Sequence, residues 1–314
     1  MKPIEEALAS TGFRRVILPG IVLTIGIHPI LSRWIPVIAD VYGVLPTVFL
    51  ITEVIFLGLV VSSGIQWIYY LYEGFRIPQV TLLAKWTNQK KLVRLQEEYR
   101  QIQGERNYDD LTDEQKNRII RLYEYLCDFP IRDGPDGITE RYVERPTRLG
   151  NVIATYELYP STRYGIDGVY YWHHILNLAP DTARKHFEEQ YAFAESLLLT
   201  SFAGAIVTAI HGLLMLGFWL GSLGFVVVSL YVGPILSALL AAFGLSSWLL
   251  FYYAALPAHR SAGIAFRAIV DAVISKFADW AESTHAPLKP DLREKAKAFA
   301  DYDGMCVDSL AKRM

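Results

Sequence analysis

TVFLITEVIFLGLVVSSG, residues 47–64, is apolar along its whole length apart from short hydroxyl residues and one carboxylate, Glu53. A run of this length and character can cross the hydrocarbon core of a bilayer as a helix. Hydrocarbon cannot solvate a carboxylate, so Glu53 requires a partner or a water-filled cavity and is the first functional candidate in the chain.

The composition places this stretch in a membrane protein with a substantial water-exposed part. Of 314 residues, 52% are hydrophobic and 20% charged, too apolar for an ordinary soluble enzyme and too charged to lie wholly in lipid. A net charge of −2 excludes a dedicated nucleic-acid binder, which needs a basic surplus on one face. Cys127 and Cys306 supply neither a disulfide framework nor a metal spacing, and are expected to be reduced thiols.

Four segments have spanning length: 15–33, 45–72, 196–220 and 224–255. Pro19 and Pro29 interrupt the first, and such breaks are tolerable in lipid only where neighbouring helices supply the missing bonds. Of the 30 Lys and Arg residues, 17 lie between 76 and 191 and nine after 256, whereas Arg33 alone falls in a short connection between paired spans. The positive-inside rule then puts both termini and the middle segment in the cytosol. The predicted fold is all-α, a four-span transmembrane helical bundle. It has a cytosolic arm at 1–14, a transmembrane hairpin at 15–72, a cytosolic helical domain at 73–195, a second hairpin at 196–256, and an amphipathic C-terminal helix and tail at 257–314. Pro257 is expected to bend the chain between the last span and that helix.

In the cytosolic domain, Pro78 opens an amphipathic helix that runs to about Gln103, and Thr112 with Gln115 forms a capping box for another that reaches Leu126. Pro130 and the Gly134, Pro135, Gly137 cluster close it off as a loop. Then comes ERPTRLGNVIATYELYPSTRYGIDGVYYWHHIL, residues 144–176. Its run RPTRLGN, then YP, then RYGID resembles a segment of uncharacterised bacterial multi-pass membrane proteins. The resemblance covers about 25 residues and implies a bacterial membrane origin, with no function attached. Read physically, Arg145, Arg148 and Arg163 stand among Tyr164 and other tyrosines, where guanidinium forks and aromatic faces suit a small anionic ligand. The alternative is an ordered turn system in which the arginines pair with Glu144 and Glu157 while the tyrosines fill a small core.

Three readily titrating residues fall well inside the spans: His28, Glu53 and His211. At 1.5 Å rise per residue, they lie roughly 18, 21 and 22 Å from the cytosolic face of a core about 30 Å thick, and so share one layer. Pro29 leaves the carbonyl of Ile25 without a donor beside that layer. At 100° per residue Glu53 is off the polar stripe of its own helix, formed by Thr52, Ser62, Ser63 and Gln66, so its partners are expected on other helices or other subunits. The layer is either one proton- or cation-sensitive site or three groups satisfied separately. On the third span Ser196, Thr200, Gly204, Thr208 and His211 share a face. That face lines a water path, or else it lets helices approach closely.

The functional expectation is a homo-oligomeric ion channel or small-solute pore of the bacterial inner membrane, controlled by its cytosolic domain and lined by the Ser196 to His211 face. The partners expected are the lipid bilayer, further copies of the chain, and a cytosolic protein or small anionic ligand, with no nucleic acid and no cofactor. One alternative is a non-conducting membrane scaffold or sensor that recruits a cytosolic partner. The other is an intramembrane metal-dependent enzyme at the histidine and glutamate layer, although no HExxH motif accompanies it.

Overall fold

The computed structural model describes residues 11–32, 46–75, 78–103, 111–133, 139–143, 145–220 and 233–283. In chain order they form α1 (Thr11–Leu31), α2 (Pro46–Ser63), α3 (Ile65–Glu73), α4 (Pro78–Gln103), α5 (Asp113–Leu126), β1 (Ile131–Asp133), β2 (Thr139–Arg141), α6 (Arg148–Glu157), α7 (Tyr159–Tyr164), α8 (Trp172–Leu178), α9 (Asp181–Trp219) and α10 (Pro234–Ser283). The fold is helical apart from the antiparallel pair β1–β2, which brackets the proline- and glycine-rich loop predicted from sequence; residues 134–138 themselves lie outside the described residues. The Arg33 connection, Glu144 and the tail beyond 283 lie outside them too.

Among the described residues three helices are long and apolar enough to cross a membrane, within Phe13–Leu31, Asp181–Trp219 and Pro234–Ala281. The pair Thr47–Ser63 and Ile65–Glu73 makes a fourth if it counts as one span, but it is bent by 58°. The second predicted span is therefore not one straight helix. Ser63 Oγ donates to the Val60 carbonyl and Gly64 N turns back to Val61, a tightened turn that ends α2 before Ile68 N bonds Gly64 to begin α3. At Pro257, where a bend is expected, the helix is unbroken. A proline removes one backbone donor, yet α10 runs through it, with the small buried Ala255 and Ala258 on either side holding the packing.

The chain divides into two compact units: residues 1–70 with 189–258, and 71–188 with 259–314. In the first, α1 and α2 form an antiparallel pair whose backbones touch. A Cβ at Gly20 would stand 2.1 Å from the Val54 carbonyl oxygen, and one at Gly58 1.9 Å from that of Val16. Glycine is required at both positions, because a methyl group there would occupy the neighbouring helix. The approach also resolves the first proline. Pro19 cannot donate to the Arg15 carbonyl, and Ser62 Oγ of α2 donates to it at 2.8 Å instead. A second glycine crossing joins α9 to α10, where a Cβ at Gly204 would lie 2.8 Å from the Gly244 carbonyl and one at Gly244 2.7 Å from Thr208 N.

The second unit has an aromatic core. Trp172 stacks on Phe266 at 4.0 Å between ring centres, with Phe187 and Tyr156 edge-on or tilted around them. Leu92 of α4 packs with Leu126 and Phe129 in a smaller cluster. The predicted capping box is present: Thr112 Oγ1 accepts from Gln115 N, and Gln115 Oε1 accepts from Thr112 N.

Candidate functional site

The α1–α2 contact sets Glu53 opposite His28. Glu53 Oε2 and His28 Nδ1 are 2.8 Å apart, and the Glu53 side chain is 8% exposed. Either the imidazole N–H donates to the carboxylate or a carboxyl O–H donates to the ring nitrogen, and in both arrangements the two groups hold a proton between them. The second carboxyl oxygen, Oε1, is buried without a hydrogen-bond partner. His28 is different: its side chain is 37% exposed, so the pair opens onto the surface of this unit.

His211 does not join the pair. It is fully buried, and its Nε2 lies 2.8 Å from the carbonyl oxygen of Gly26. A carbonyl only accepts, so Nε2 carries the proton and donates. Gly26 is next to the Ile25 carbonyl that Pro29 leaves without its helical donor, so His211 ties α9 to α1 beside that acceptor and not at it. Its Nδ1, like Thr24 Oγ1, is buried without a partner. The three candidates thus share helix α1 as a neighbour, but only two of them touch. Among the described residues no three His, Cys, Asp or Glu side chains converge as metal ligands would.

The Ser196, Thr200, Gly204, Thr208 face packs within the chain, with Thr208 half-buried. Thr200 Oγ1 donates back to the Ser196 carbonyl and Thr208 Oγ1 to that of Gly204, while Gly204 meets Gly244 and Trp248 of α10. Ser196, Thr200 and His211 are all at most 1% exposed. Small residues on this face bring helices together.

Reasoning from sequence passed over one ion pair of this unit, between Arg15 of α1 and Glu195 of α9, whose carboxylate is buried. The signal was available. Each residue immediately precedes its apolar run, so the depth count that aligned His28 with Glu53 puts these opposite charges at one level.

In the second unit the arginines of the candidate anion region turn inward. Arg145 lies between Glu73 at 3.5 Å and Glu157 at 3.4 Å, with its guanidinium over the Phe75 ring. Arg148 Nε donates to Asp128 at 2.7 Å, and Arg260 donates to the same carboxylate. Arg163 is exposed; Tyr164 is buried, and its hydroxyl, with that of Tyr159, donates to Asp271 at 2.7–2.9 Å. Burial and the Asp271 carboxylate push both phenols well above the ordinary tyrosine range. Of the carboxylates weighed above, Glu157 does face Arg145, while Arg148 takes Asp128 instead, Arg163 is exposed and Glu144 lies outside the described residues.

Burial also pushes the Glu157 carboxyl above its ordinary value, with Arg145 pulling it back. Stability from the protonated form is therefore present below the ordinary glutamate range and is lost as pH rises through the raised folded-state value. Glu157→Gln removes this titration. Thermal melts across rising pH are expected to show wild type losing more stability than the variant, and parallel profiles would contradict the assignment.

No known protein family, curated protein or solved structure matches the chain. Fold and site together define a helical protein with several apolar segments able to span a membrane, and with an acid–imidazole pair inside one of its apolar helix hairpins.

Proposed function

We propose that this protein is a homo-oligomeric ion channel or small-solute pore of a bacterial inner membrane, with its termini and the residues between 73 and 195 on the cytosolic side, where they control opening. The observation that carries the reading is the exposure of His28 where it pairs with the buried Glu53. An ionisable pair on the outer surface of a membrane-spanning hairpin is costly against lipid, so a second subunit or a water path covers it. A hairpin bundle of one chain leaves little room for a hole, and several copies around an axis supply both the cover and the path. Because the Ser196 to His211 face is occupied by packing, the path runs beside the His28–Glu53 pair and not along α9. The distribution of Lys and Arg supports the orientation.

The sealed α9–α10 crossing favours a second reading, a non-conducting scaffold or sensor whose polar residues serve assembly. Flux from ion-loaded proteoliposomes separates the two. Passage above the lipid-only rate, from a protein that is oligomeric in detergent, supports the pore. A monomer, or no flux at any pH and voltage applied, leaves the scaffold.

A further inference from the structure

Helix α4 has two faces that its chemistry explains differently. One is internal: Leu92 is buried with Leu126 and Phe129, Leu95 and Tyr99 pack beside it, and Gln96 Nε2 donates to the Arg141 carbonyl. The other carries Leu82, Trp86 and Val93, which are 70%, 53% and 46% exposed. At 100° per residue these three fall within about 60° of one another, roughly a quarter turn or more from the packed face. Among the described residues they form an exposed apolar stripe.

The charges around this stripe are of one sign. Between Glu73 and Glu97 the sequence has Arg76, Lys85, Lys90, Lys91 and Arg94 and no acid. Lys85, Lys90, Lys91 and Arg94 are all exposed, and Lys90 Nζ sits 3.5 Å above the centre of the Trp86 ring. Among the described residues none of these four cations pairs with a carboxylate; Lys91, on the far side of the helix from the stripe, lies over the Tyr125 ring. A tryptophan and a leucine between lysines is the composition of a helix that lies in a bilayer interface, with apolar groups among the acyl chains and cations at the headgroups.

Position in the chain supports the same occupant. Leu82 follows Glu73, the last residue of α3, by nine positions, so the chain can place it no more than about 30 Å from the end of an apolar membrane-spanning segment. We infer that the Leu82–Trp86–Val93 face of α4 is a membrane-surface anchor that binds anionic lipid headgroups through Lys85, Lys90 and Arg94. The inference needs the protein to be in a membrane and is independent of whether it conducts.

The test uses the full-length protein in vesicles of phosphatidylcholine brominated on its acyl chains, with or without phosphatidylglycerol. The difference in emission between wild type and Trp86→Phe isolates the signal of Trp86. In anionic vesicles that signal is expected to be strongly quenched, and the quenching to fall several-fold in about 0.5 M salt, where charge attraction is screened. The threefold variant Lys85→Gln, Lys90→Gln, Arg94→Gln, altered only at exposed positions, is expected to lose it in the same way. A Trp86 signal unquenched in anionic vesicles overturns the inference, and if it is also shielded from aqueous iodide, the face is covered by protein. Equal quenching in neutral vesicles, indifferent to salt and to the glutamine substitutions, overturns the role of the cations.

Discussion

Gly58→Ala is expected to destabilise the protein by about 3 kcal/mol, at the upper end of what overpacking costs. The added methyl would stand 1.9 Å from the Val16 carbonyl oxygen, and neither backbone can yield without separating α1 from α2. Gly20→Ala meets Val54 in the same way and is expected to cost a similar amount; the two losses should not add, since the first already parts the helices. Gly212→Ala is the control. It adds the same methyl on α9, where nothing lies within 4 Å, and is expected to change stability by no more than about 0.5 kcal/mol or to raise it slightly through helix propensity. Thermal unfolding in detergent reads all three. A Gly58→Ala melt that coincides with Gly212→Ala would contradict the backbone contact on which the position of Glu53 depends.

Asp128→Ala is expected to cost about 3 kcal/mol, toward the lower end of losses from broken buried pairs because both of its arginines keep some solvent. The Asp128 carboxylate is 1% exposed and holds two guanidinium groups, Arg148 at the start of α6 and Arg260 in α10, whose side chains are 26% and 32% exposed. Removing it leaves two partly buried cations facing each other across an empty position. Replacing both arginines by methionine in the same background should restore part of the loss, since no unpaired charge then remains. A triple variant no more stable than Asp128→Ala would show that packing, and not the charge, was lost.

Much of the helical framework was legible because its signals are local. Long apolar runs mark the candidate spans, and Thr112 with Gln115 marks the start of α5 through bonds made within four residues. The break in the second span was not legible, for an equally physical reason. A proline withdraws one donor, and Pro19 shows how that is repaired, through Ser62 of another helix; the break falls instead at Ser62, Ser63 and Gly64, where no proline stands. The site divides along the same line. Depth along a helix is a sum over residues, so His28 and Glu53 could be brought to one level from sequence. The partner of His211 is a backbone carbonyl, and every residue carries one, so nothing in the residue types distinguishes Gly26. Arg145 and Arg148 had several carboxylates to choose from, and the choice of Glu73, Glu157 and Asp128 depends on packing that brings distant segments together.

The most direct measurement is the pH dependence of ion flux from proteoliposomes of wild type and Glu53→Gln. Glutamine keeps the shape of the side chain and a hydrogen bond to His28 but cannot exchange a proton with it. If the pair lies beside the conduction path, flux in the variant is reduced and no longer follows pH where wild type does. Unchanged flux with an unchanged pH profile would contradict this and leave Glu53 as a residue that only holds α1 to α2.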